Sequence, residues 1–201
     1  MMNPLRRELE IVASSVHEGA RVLDLGCGDG ALLDYLVRQK GVTAYGLEID
    51  ARKVTRCMQR GVNVVCADLD EGLSDFHRDS FDYVILSQTI QAVRYPDKLL
   101  EDVLRVGRQG IISFPNFGYW RLRLQLLFRG RMPRSPTLPN AWYNNQNIHL
   151  CTLRDFERLC STLGIRILEQ RLLDRAHRSH SFINIAPNLL GEIAIYRFDR
   201  G

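Results

Sequence analysis

The run Val22-Leu23-Asp24-Leu25-Gly26-Cys27-Gly28-Asp29-Gly30 places three alternating glycines after a short apolar stretch that holds one carboxylate. Ala31-Leu32-Leu33 follows at once. This pattern predicts a buried parallel strand, a tight turn and the first turn of a helix. Glycine has no Cβ, so a ligand can lie directly against the backbone there. Open α/β sheets bind their ligands at the carboxyl ends of strands, where this loop falls. Gly26, Gly28 and Ala31 also satisfy the G-x-G-x-x-G/A dinucleotide spacing. Asp24, two residues before the first glycine, and the third glycine at Gly30 favour a different ligand.

Three further groups fall where a nucleoside site needs them. Glu48, in Gly46-Leu47-Glu48-Ile49-Asp50, can accept bonds from both ribose hydroxyls, while Asp50 suits a helix N-cap better. Asp68, in Cys66-Ala67-Asp68-Leu69, can accept an adenine amino hydrogen, with the next backbone N–H open to a ring nitrogen. Asp70 and Glu71 are close enough to compete for that role, and a solvated acidic turn is the plain alternative. Ser87-Gln88-Thr89-Ile90-Gln91 supplies polar groups after the fourth expected strand. Gln88 and Gln91 hydrogen-bond but are not strong bases at neutral pH.

The run D-L-G-C-G-D-G resembles motif I of class I S-adenosylmethionine (SAM) methyltransferases. The resemblance implies SAM or S-adenosylhomocysteine as cofactor, with contacts at Asp24, Gly26, Cys27, Gly28, Gly30, Glu48, Ile49, Asp68, Leu69, Ser87 and Gln88. Asp24 would engage the methionine end, the glycine backbone the methionine and ribose, and the loop after Ser87 the sulfonium. Many base-modifying members carry an Asn-Pro-Pro-Tyr-like tetrapeptide in that loop, and this chain does not. Methyl transfer rests on placing a nucleophile in line with the methyl group, often with a base to take its proton. Catalytic candidates are few: Gln88, Tyr143 and His149. His149 suits a structural role better than a site-lining one, and Tyr119, Trp142 and Tyr143 could line the cap or simply pack the insertion.

These groups need elements to hold them. Leu5, Leu9, Val12 and Val16 predict an amphipathic helix. Strands are expected near 21–25, 42–49, 62–67, 81–87 and 109–114. They alternate with helices at 31–40, after Asp50, and from Pro96, a favourable first-turn residue. Strands near 165–172 and 192–198 close the chain, after a helix that opens on the capping-box-like Thr152-Leu153-Arg154-Asp155. The fold class expected is α/β: a doubly wound, mostly parallel seven-stranded Rossmann-like sheet. It is expected as one domain over 1–201, with a helical cap insertion over 115–148 that includes a helix near 118–128. That stretch is too long for a simple connection.

The insertion holds Arg121, Arg123, Arg129, Arg131 and Arg134, interleaved with Leu122, Leu124, Leu126, Leu127 and Phe128. The pattern fits a helix with a solvated basic face, a protein-partner surface, or a surface for RNA phosphates. A net charge of +4 on 201 residues permits a nucleic-acid partner without arguing for one. Cys27, Cys57, Cys66, Cys151 and Cys160 form no C-x-x-C pair and no zinc spacing, so no metal is expected. They read as reduced, mostly buried thiols of a cytoplasmic protein. The first ten residues are too charged for a signal peptide, and no apolar run approaches a membrane span of about 20 residues.

The segments 112–121, ISFPNFGYWR, and 142–152, WYNNQNIHLCT, resemble the MetW family of methionine biosynthesis, as does Ser87–Ala92. That resemblance covers nearly the whole chain. It implies association with MetX, the homoserine O-acyltransferase of methionine synthesis, in a supporting or regulatory role. An active methyltransferase on a small-molecule acceptor stays open beside it, and an RNA methyltransferase more remotely.

Overall fold

The computed structural model describes residues 5–145, 147–174 and 181–201. Residues 1–4 of the charged N-terminal stretch and Gln146 of the 142–152 segment lie outside the described residues. In chain order the elements are α1 (Arg7–Ser14), β1 (Arg21–Leu25), α2 (Ala31–Lys40), β2 (Thr43–Glu48), α3 (Ala51–Gln59), β3 (Asn63–Cys66), β4 (Phe81–Ser87), α4 (Pro96–Val106), β5 (Gly107–Pro115), α5 (Trp120–Arg129), α6 (Leu153–Thr162), β6 (Ile165–Leu173), α7 (Pro187–Leu190) and β7 (Ile193–Arg200).

The strands form one seven-stranded sheet in the order β3-β2-β1-β4-β5-β7-β6. The first five pair in parallel, and β7 runs antiparallel to both β5 and β6. Alternation along the central strands explains the layers. Leu23 and Leu25 of β1 join Val84 and Leu86 in a core closed by α4 and α6. Val22 and Ile85 point the other way, into a core closed by α1 and α2. Strands buried on both faces and helices on both sides make the sheet doubly wound.

Several boundaries differ from expectation for identifiable reasons. β5 begins two residues early because Gly107, the C-cap of α4, is already extended at φ −111°. Ile49 falls outside β2 and is exposed. The helix expected near 118–128 starts instead at Trp120, because the fully buried Asn116 organises a turn ahead of it. Its Oδ1 accepts from the Gly118 amide at 2.9 Å, and its Nδ2 donates to the Gly191 carbonyl at 2.8 Å. Cys66 is exposed, while Cys27, Cys57 and Cys160 are buried as expected. Thr152 and Asp155 form the reciprocal capping box.

Candidate functional site

The parallel strands present their carboxyl ends along one edge. Sheet order and register set Asp68, Glu48, the loop after Asp24, Gln88 and Ser113 side by side along it. The loop after β1 needs its glycines: Gly26, Gly28 and Gly30 have φ of +74°, +62° and +76°. Gly26 is required twice over, since a Cβ there would stand 2.6 Å from Thr89 Oγ1. The Thr89 side chain of the loop after β4 therefore packs directly on the Gly26 backbone.

Glu48 is nearly buried and gathers three backbone donors. Its Oε2 accepts from the Gly28 amide at 2.9 Å, and its Oε1 from the amides of Ile49 and Asp50, each at 3.0 Å. Lys53 Nζ stands 3.8 Å away. Asp50 caps α3 by accepting from the Arg52 amide, as its position in the sequence predicts. Asp24 is 2% exposed, and its buried Oδ1 has no hydrogen-bond partner among the described residues. Burial, then the charge of Glu48, pushes its carboxyl up to about 7. Cys27, within the loop, lies 3.8 Å from Cys57 of α3, Sγ to Sγ. Burial, with the nearby Asp24 charge, raises the Cys27 thiol far above its usual range, which disfavours its thiolate.

Asp68 is exposed and caps the short 3-10 turn at Leu69–Glu71, accepting from the Asp70 amide at 2.9 Å. Asp70 is committed elsewhere: it accepts from the Arg94 amide at 2.7 Å and pairs with the Arg94 guanidinium. Of the two, Asp68 keeps the freer carboxylate.

After β4, Gln88 sits in the left-handed region at φ +54°. Its amide donates to the Ser113 carbonyl at 2.9 Å, and its Nε2 donates to Glu8 Oε2 at 2.5 Å. Glu8 Oε1 in turn accepts from Ser113 Oγ, and Ser87 Oγ lies 3.3 Å from the same hydroxyl. Glu8 is fully buried. Sequence reasoning missed it, although a signal was present. Glu8 stands three residues after Leu5 and four before Val12, on the inward stripe of α1.

The three catalytic candidates part company. Gln88 and His149 meet at one loop: the His149 amide donates to the Gln91 carbonyl at 3.0 Å, and Gln91 Nε2 donates to the Gln88 carbonyl at 3.0 Å. The His149 ring is exposed, with Nε2 3.3 Å from the Arg94 carbonyl. Tyr143 is exposed and lines an open groove with Gln125 and Arg129 of α5. Among the described residues no cluster of His, Cys, Asp and Glu is placed to hold a metal ion, and no helix is long and apolar enough to cross a membrane.

Solved structures share this architecture. An S-adenosylmethionine dependent methyltransferase from Mesorhizobium loti superposes with a TM-score of 0.68 at 17% identity, covering 97% of this chain and 98% of that one. The [4+2]-cyclase SpnF superposes with a TM-score of 0.68 at 17% identity, covering 96% and 80%. The fold is that of the class I SAM-dependent methyltransferases. Within it, residues 6–198 match the family described as methionine biosynthesis protein MetW, and the chain belongs to that family. A curated relative, the bifunctional methionine biosynthesis protein MetXA/MetW of Rhodopirellula baltica, is 36% identical over 201 residues. The match takes in 95% of this chain and 32% of the relative, so the chain spans about a third of that protein's length.

Proposed function

We propose that this protein binds SAM or S-adenosylhomocysteine and acts as an accessory protein that supports or regulates homoserine O-acyltransferase, MetX. The fused relative carries the partner half of this reading: there a MetW-like third belongs to one polypeptide named for both activities. The ligand half rests on the edge of the sheet. A buried carboxylate oxygen without a partner is costly, and Asp24 Oδ1 is such an atom beside a glycine loop. The ligand's α-ammonium group suits it. Glu48 would take the ribose, Asp68 and the Leu69 amide the adenine, and Ser87 and Gln88 would flank the sulfonium. A carboxylate offers about four lone-pair sites, and three backbone donors already use three of those on Glu48. Ribose binding at both hydroxyls therefore asks at least one backbone donor to share or leave. When bound, SAM supplies an activated methyl group.

An accessory role agrees with the shortage of bases. Gln88 is an amide, and its side-chain nitrogen is engaged by Glu8. The fold itself does not decide between roles, since function lives in the site. His149 supports a second reading, an active methyltransferase on a small molecule, because its exposed ring stands at the loop after β4. Under either reading residues 115–148 form a cap insertion on one SAM-binding domain.

The test is pull-down of the homoserine O-acyltransferase from native lysate with and without SAM, together with calorimetry against SAM, S-adenosylhomocysteine and NAD. The accessory reading expects acyltransferase capture and SAM binding without NAD binding. Absence of the acyltransferase, with methyl transfer to a metabolite extract, would establish the second reading instead.

A further inference from the structure

We propose that the outward face of α5, with the groove beside it, is the docking surface for the acyltransferase, which meets it with apolar side chains edged by carboxylates. The inference rests on the partner named above and adds where that partner binds.

The helix is anchored on one side and open on the other. Leu122 is its single buried residue, packing with Tyr119 and Leu138. Arg123 fixes its start by donating to the carbonyls of Gly118 and Asn188. Trp120, Leu124, Leu127 and Phe128 then recur at i, i+4, i+7 and i+8, and all are exposed, Leu127 at 73% and Phe128 at 78%. That spacing is an amphipathic stripe, aimed away from the protein's own core. A ten-residue helix is marginal in water without packing of its apolar face, and contiguous exposed apolar surface marks an interaction site.

Charge and shape indicate the occupant. Residues 117–154 contain six arginines, no lysine and no acidic residue. An open groove of about 530 Å³ runs beside the stripe, with Arg121, Arg129 and Arg134 in its lining and Glu192 as its one acid. Arginine with exposed aromatics is the composition favoured at protein interfaces, where its planar group pairs with carboxylates. A second copy of the chain would set arginine against arginine across a two-fold contact. A concave groove also fits a protein knob better than a flat bilayer. The partner therefore presents apolar side chains among acidic ones.

The experiment uses the full chain with purified homoserine O-acyltransferase from the same organism. It compares wild type, the double variant Leu127→Glu/Phe128→Glu, and the double variant Arg121→Glu/Arg129→Glu. SAM calorimetry on each variant reports folding, because the site residues lie on other loops. The expected result is a loss of acyltransferase affinity of at least about thirty-fold in both variants, the scale of interface hot spots, with SAM affinity unchanged within about two-fold. Unchanged affinity for the acyltransferase would overturn the assignment of the surface. Wild type that binds SAM but no acyltransferase would remove the partner reading, and the proposal with it. Loss of self-association, or of binding to phosphatidylglycerol vesicles, with acyltransferase binding intact would reassign the face to another occupant.

Discussion

The Gly28 amide donates a 2.9 Å hydrogen bond to Glu48 Oε2, so the loop after β1 and the end of β2 are held by one carboxylate. The same side chain that would meet a ribose therefore also shapes the loop that would meet the methionine end.

Glu48→Ala is expected to weaken SAM binding by roughly ten-fold to several hundred-fold. Charge-assisted hydrogen bonds contribute about 1.5–3 kcal/mol each, and the loop loses its anchor as well. Glu48→Gln should recover little, because a carboxamide turns an N–H₂ toward one set of backbone donors. Calorimetry with SAM, and hydrogen exchange at the Gly28 amide, check both halves. Unchanged affinity in a folded Glu48→Ala protein would exclude Glu48 as the ribose ligand.

Asp24 sets a pH dependence of defined sign. Its carboxyl is held up at about 7 by burial and by Glu48, against 3.8 ordinarily. The folded chain therefore binds this proton more tightly than the unfolded chain. The stability from this group is complete below about pH 4 and is lost as pH rises through about 7. Asp24→Asn should remove that slope and be the more stable protein at pH 8, by up to about 4 kcal/mol. Urea unfolding at pH 5 and pH 8 measures it, and equal slopes in both proteins would contradict it. A cationic ligand favours the ionised form, so SAM affinity should strengthen between pH 6 and pH 8.

Much of this edge was legible from residues alone, because local rules and tertiary packing agree there. The glycines of the first loop need positive φ, Asp50 caps α3, and Thr152 with Asp155 caps α6, each as its type and spacing predict. Glu8 escaped because its partners lie far off in the chain, Ser113 105 residues away and Gln88 80 residues away. No local pattern encodes that meeting. Tyr143 stands among the catalytic candidates by residue type, and in the structure its exposed side chain lines an open groove with Gln125 and Arg129. Arg123 read as one basic residue among five, yet it is tied to backbone carbonyls.

Glu8→Ala should destabilise the fold by about 2–4 kcal/mol, because Ser113 Oγ and Gln88 Nε2 lose a buried acceptor together. Glu8→Gln keeps one acceptor oxygen and should fall between wild type and alanine. Denaturant midpoints order the three proteins. A Glu8→Ala midpoint equal to wild type would mean the cluster contributes nothing to stability.

Thr152→Ala removes the side-chain acceptor for the Asp155 amide and one side of the capping box. The expected cost is about 1 kcal/mol, or roughly 2–4 °C in Tm for a chain of this size. Thermal unfolding measures it, and an unshifted midpoint would show that Asp155 alone suffices.

The position of β7 has a consequence for how the protein is made. It is the last of the seven strands in sequence but sits between β5 and β6 in space. During synthesis β6 emerges from the ribosome before the strand that joins it to the sheet exists. Until Ile193–Arg200 has emerged, β5 presents a bare hydrogen-bonding edge and β6 has no place to pair. The nascent chain thus carries an aggregation-prone edge until β7 has been made, and cutting away β7 should unseat β6 with it.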